Sequence, residues 1–115
     1  MKFKYEGKRL TIDNEILEFD VKIQKVVPFE NFVIVLTDHC KTETNENVYC
    51  VDKYCKFKWT IERAIGIDDP YSNIVKKDEN TIELINWNGT DLTVDTWTGK
   101  FKTTVKESNQ GKRPW

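Results

Sequence analysis

Phe32-Val33-Ile34-Val35-Leu36 is an unbroken apolar run in which three successive residues branch at Cβ. Such a run predicts a central strand covered on both faces. The turn Pro28-Phe29-Glu30-Asn31 leads into it, and a polar loop from Thr37 to Asn47 leads out. Just upstream the pattern changes to period two. Leu17, Phe19, Val21 and Ile23 alternate with Glu18, Asp20, Lys22 and Gln24, which predicts one strand from Leu17 to Val27 with a buried face and a wet face.

The rest of the chain points the same way. Val and Ile number 10 each and Thr 12, against one Ala and five Leu in 115 residues. Branching at Cβ restricts χ1 in a helix and suits a pleated surface. The class is therefore all-β, with at most one helical turn, around Ile61 to Ile65. Further strands are expected at Lys2 to Tyr5, Lys8 to Ile12, Val48 to Asp52, Lys56 to Glu62, Asn73 to Lys77, Thr81 to Asn86, Asp91 to Asp95 and Lys100 to Lys106. Arg63 to Ser72 reads as a loop, and Asn88-Gly89 is a strong hairpin signal. The expected architecture is eight or nine antiparallel strands in meander hairpins, as two packed sheets or a curled open barrel. Residues 1–107 form one β-domain and 108–115 a polar tail.

Charge narrows the partners. Lys plus Arg is 18 against 19 Asp plus Glu, without the basic excess of a duplex-DNA binder. Fourteen aromatic residues argue against disorder. No apolar run approaches the roughly 20 residues of a membrane helix. Met1-Lys2-Phe3-Lys4-Tyr5 does not open the apolar stretch of a signal peptide, so a cytoplasmic protein is expected.

The chain also repeats itself. Val51-Asp52-Lys53-Tyr54-Cys55-Lys56-Phe57-Lys58 is echoed, with one inserted residue, by Val94-Asp95-Thr96-Trp97-Thr98-Gly99-Lys100-Phe101-Lys102. Each copy reads as a strand, an Asp-led turn and a return strand beginning Lys-Phe-Lys. Asp suits the turn start because its carboxylate accepts turn N–H groups, and Gly99 suits a positive φ. Cys55 at the matching position predicts a different turn geometry in the first copy.

With Val48-Tyr49-Cys50-Val51-Asp52, Trp59 and Asp95-Thr96-Trp97-Thr98-Gly99-Lys100, these hairpins resemble the blade repeat of pyrroloquinoline-quinone-type propellers. The second copy departs from that pattern, with Thr103 and Thr104 where a Trp belongs. At ~40 residues per blade the chain is too short to close a propeller. The order Phe32 to Leu36, Asn47 to Asp52, Trp59, Pro70-Tyr71-Ser72, Asn86-Trp87-Asn88-Gly89 and Val94-Asp95 through Gly99-Lys100 is similar to that of small bacterial and phage β-proteins of this length. That resemblance implies a shared fold and carries over no catalytic residue.

Candidate chemistry is sparse. Cys40, Cys50 and Cys55 with His39 are the right residue types for a Cys3His zinc site, but the spacing lacks a Cys-x-x-Cys knuckle. Small buried thiols, or a cross-turn Cys50–Cys55 disulfide, are the other readings. His39 follows Asp38 and is the sole histidine; no signature joins it to a nucleophile. Asp68-Asp69, Asp78-Glu79, Asp91 and Asp95 lack the calcium-loop pattern, and five scattered glycines make no phosphate loop. No metal or cofactor is implied.

Two features remain. Five acids and no base lie between Asp78 and Asp95, followed by five bases and one acid. These charges either pair across strands or leave an acidic patch at Asp91 and Asp95 for a basic partner. The aromatics also gather at turns. Trp59 and Trp87 suit lids over their own core, whereas Tyr54 and Trp97 suit either a lid or an exposed anchor, and Tyr71 lies in a loop. The expected binding residues are therefore Tyr54, Tyr71, Asp91, Asp95 and Trp97. The expected function is a non-catalytic protein-binding module, an inhibitor of the toxin-immunity or phage anti-defence type. A sequestering protein for a nucleotide signal and a thiol or zinc enzyme are the alternatives.

Overall fold

In a computed structural model, residues 1–38, 47–61, 70–87 and 89–102 are described. They form ten strands: β1 (Phe3–Glu6), β2 (Arg9–Ile12), β3 (Glu15–Glu18), β4 (Ile23–Pro28), β5 (Phe32–Thr37), β6 (Val48–Asp52), β7 (Phe57–Thr60), β8 (Tyr71–Asp78), β9 (Thr81–Asn86) and β10 (Asp91–Asp95). All pairings are antiparallel. The strands make three consecutive meanders, β1-β2-β3, β4-β5-β6-β7 and β10-β9-β8, and none closes into a barrel. The all-β, open-sheet expectation holds. Ten strands in three sheets replace the eight or nine counted from the sequence.

The alternating stretch supplies two of the ten. It is not one strand from Leu17 to Val27: β3 ends at Glu18 and pairs with β2, and β4 starts at Ile23 and pairs with β5. Between them, Phe19 N–H donates to the Lys8 carbonyl and Ile23 N–H to the Gly7 carbonyl. The predicted faces survive the break. Phe19 and Ile23 are buried, Leu17 and Val21 half-buried, and Glu18, Asp20, Lys22 and Gln24 exposed. Alternation reports which side meets a core, and it cannot report a change of ladder partner.

β5 is the spine. All six of its residues are buried, and its side chains alternate between two cores. Phe32, Ile34 and Leu36 join Val48, Cys50, Ile74, Ile82, Leu84, Leu92 and Val94, so the central sheet packs on the third. Val33 and Val35 join Leu10, Ile12, Phe19, Ile23 and Val51, so its other face packs on the first. β9 and β10 show the period-two pattern of sheets with one wet face: Ile82, Leu84, Leu92 and Val94 point inward.

One buried amide fastens the central sheet to the third. Asn47 Nδ2 donates to the carbonyls of Thr37 (2.8 Å) and Tyr71 (3.0 Å), and its Oδ1 accepts Tyr71 N–H at 3.1 Å. Past β10, Phe101 bridges to Val94 and Lys102 N–H donates to the Thr93 carbonyl, the start of the expected last strand. The expected helical turn beyond Ile61, the remainder of that last strand and the tail lie outside the described residues.

Candidate functional site

The echoed hairpins form the best-defined surface. In the first, Asp52 Oδ1 accepts the N–H groups of Tyr54 (2.9 Å) and Lys56 (3.1 Å), and Cys55 N–H donates to the Asp52 carbonyl. In the second, Asp95 Oδ2 accepts Thr98 N–H (3.0 Å) and Thr98 Oγ1–H (2.8 Å), and Gly99 N–H donates to the Asp95 carbonyl. Cys55 (φ +66°) and Gly99 (φ +75°) are both left-handed. The expected difference in geometry lies in loop length and in the carboxylate's hydrogen bonds, not in the closing residue's φ. A three-residue loop spans Asp52 to Lys56 and a four-residue loop spans Asp95 to Lys100, and each closes on the same backbone conformation.

The two copies interlock through Trp59. Its Nε1–H donates to the Thr96 carbonyl at 2.8 Å, and its half-buried ring lies on Gly99. Trp59 is thus the lid the sequence suggests. Trp97, on the same turn, is 52% exposed yet fixed on three sides. Its Nε1–H donates to Asn80 Oδ1 at 2.8 Å, its ring meets Phe32 edge-on at 5.8 Å, and Lys58 Nζ sits 4.4 Å from its centroid. Phe29 stacks on Phe32 at 4.8 Å and carries Lys76 Nζ at 4.4 Å on its ring. Tyr54 tips the neighbouring hairpin, 64% exposed, with Lys53 Nζ 5.5 Å from its ring. Lys53 N–H donates to the Asn31 carbonyl, which places that turn at the Phe32 end of β5.

The five expected residues do not share one surface. Tyr54, Asp95 and Trp97 share the Phe32 end. Asp91 stands opposite Ile85 at the other end of β9 and β10, about four strand residues or ~13 Å from Asp95. Tyr71 is not a loop residue. It opens β8, is 2% exposed and belongs to the core, because Asn47 draws its backbone against β6. Trp87, expected as a lid, is 68% exposed beside a cleft of about 270 Å³ lined by Gln24, Asp38, Pro70 and Ser72 among others.

Two acids of the stretch meet lysines of β8, Glu79 with Lys76 at 3.0 Å and Glu83 with Lys77 at 3.7 Å, whereas of the bases that follow, Lys102 Nζ donates to the neutral Thr81 Oγ1. Asp95 is engaged by its turn, which leaves Asp91 as the exposed acid of β10. Cys50 and Cys55 are free thiols facing opposite cores, so they make neither a disulfide nor two ligands of one metal. Burial pushes the Cys50 thiol up to about 12, tempered by Lys58 and reinforced by Asp52. Burial also raises Cys55. His39 and Cys40 lie outside the described residues.

Sequence reasoning missed Lys58 and Asn47. The Lys-Phe-Lys echo marks Lys58 as a return-strand residue but not as the cation over Trp97. Nothing in the composition around Asn47 announces a buried amide.

A family model matches residues 1–106, a domain of unknown function, DUF7957. The chain belongs to DUF7957. No curated protein matches it, and no solved structure does. The family carries no assigned activity to set against the geometry of this DUF7957 domain, and among its described residues no helix is long and apolar enough to cross a membrane.

Proposed function

We propose that this DUF7957 domain is a non-catalytic, cytoplasmic protein-binding module, an inhibitor of the toxin-immunity or phage anti-defence kind. The observation that carries the reading is Trp97: half exposed, yet held by Asn80, Phe32 and Lys58. An aromatic already fixed in its bound orientation loses little freedom on docking, and such residues dominate binding energy at interfaces. Tyr54 on the echoed turn extends the same surface. The likeness of the Asp-led hairpins to propeller blade repeats supports a recognition role for their tips, by analogy of form. Asp91 supplies a rim charge for a basic partner surface, where its effect falls mainly on association rate.

Lys58 beside Trp97 favours one second reading, a sequestering protein for a nucleotide signal, with the base on the ring and the phosphate at the ammonium. Native mass spectrometry of the tagged chain, purified gently from the cells that make it, separates the two. A stoichiometric protein adduct, weakened by salt and by Asp91→Lys, is expected. A small adduct of nucleotide mass would favour the second reading, and a bare chain would count against both.

A further inference from the structure

A groove of about 210 Å³ lies on the opposite face of the central sheet from Trp97. Its floor is a triangle of rings. Phe19 meets Tyr49 at 5.3 Å and Phe57 at 5.7 Å, and Tyr49 meets Phe57 at 5.8 Å. Phe19 belongs to the core and Tyr49 is half-buried, whereas Phe57 is 52% exposed and presents the open ring of the groove. Three carboxylates, Glu18, Asp20 and Asp38, stand around it, and among the described residues neither Lys nor Arg lines it. Glu18 pairs loosely with Arg9 at 3.9 Å, both side chains exposed, and Asp38 Oδ1 accepts a hydrogen bond from Gln24 Nε2.

We infer that this groove receives an arginine side chain from an exposed segment of the protein partner. Rings alone would suit any apolar group, and acids alone any cation. Together they select a flat cation that stacks on an aromatic face while its edge N–H groups reach carboxylates, which is what a guanidinium does and an ammonium does less well. The assignment rests on reading the chain as a protein-binding module. It adds a contact on the opposite sheet face from Trp97 and names its chemistry.

The test is a titration of the 15N-labelled chain with the capped tripeptide acetyl-Ala-Arg-Ala-amide and with its citrulline counterpart, which keeps the shape and loses the charge. The arginine peptide is expected to shift the amides of Asp20, Asp38, Tyr49 and Phe57 saturably, and the citrulline peptide to bind at least tenfold more weakly. Asp20→Asn combined with Asp38→Asn, its remaining spectrum native, is expected to weaken the arginine peptide at least tenfold. Absence of saturable shifts, equal binding of citrulline, or full affinity in the double variant would overturn the assignment. Because no partner protein is needed, such a result leaves the role of Trp97 and Tyr54 to its own test.

Discussion

Among the described residues, Cys50 carries the clearest pH signature. The folded chain keeps its thiol protonated up to about pH 12, against an ordinary value of 9.0. A group whose pKa is raised by folding contributes fully below its unfolded value and loses that contribution as pH climbs toward the folded one. The melting temperature should therefore fall from about pH 9 upward, and Cys50→Ala should flatten that fall while lowering the whole curve through the cavity it leaves. Equal alkaline slopes in the two proteins would remove Cys50 as a cause. Gly99 is the other decisive residue. A Cβ there would lie 2.5 to 2.9 Å from the Trp59 ring, whereas at Gly89, also left-handed, nothing lies within 4 Å. Both Ala variants bear roughly 1–2 kcal/mol of backbone cost, and Gly99→Ala should lose about 1–3 kcal/mol more from overpacking. Urea denaturation of the pair checks the difference. The positive φ at Gly99 was legible in the sequence, but its contact with Trp59 was not, because that contact joins residues forty apart.

Among the elements, the hairpins were the most legible. β6, β9 and β10 fall on their expected residues, and Asp52 and Asp95 lead their turns as their carboxylate chemistry predicts. Replacing Asp52 by Ala should cost about 1–2 kcal/mol, since two turn N–H groups lose a charged acceptor. The same change at Asp95 should cost about as much and also loosen Trp97, visible as a red shift of its fluorescence. An unshifted spectrum would mean that Asn80 and Lys58 hold the ring without help from the turn. For this reason charge reversal at Asp95 is a poor probe of an acidic binding patch, and Asp91 is the cleaner one. The element misread was the long alternating strand. Its faces were right, but its division between two sheets depends on which strand each half pairs with. Tyr71 was misread for a similar reason: Pro70 and Ser72 suggest a loop, and only the Asn47 clamp makes this residue core.

For the whole molecule, β5 serves both cores, so the three sheets should unfold together. Ile34→Ala opens the core shared with the third sheet and Val35→Ala the core shared with the first. Each should lower a single common transition, by about 2–5 kcal/mol for the isoleucine and less for the valine. Hydrogen exchange at Leu10 and Leu84 would report the two sheets separately, and distinct transitions would show that β5 does not couple them. The central sheet with its two cores was foreshadowed by five apolar residues. The functional surface was only half legible, because Trp97 and Tyr54 stand out at turns, while the groove beside Phe57 combines residues from β3, β6, β7 and their flanks. The central claim is that the paired turn tips bind a protein, and its most direct measurement is a comparison of captured complexes by native mass spectrometry. Tagged wild-type chain and a Tyr5→Ala control should both carry the same stoichiometric protein adduct, and Tyr54→Ala combined with Trp97→Ala should lose it while staying folded. An adduct indifferent to the double substitution would contradict the account.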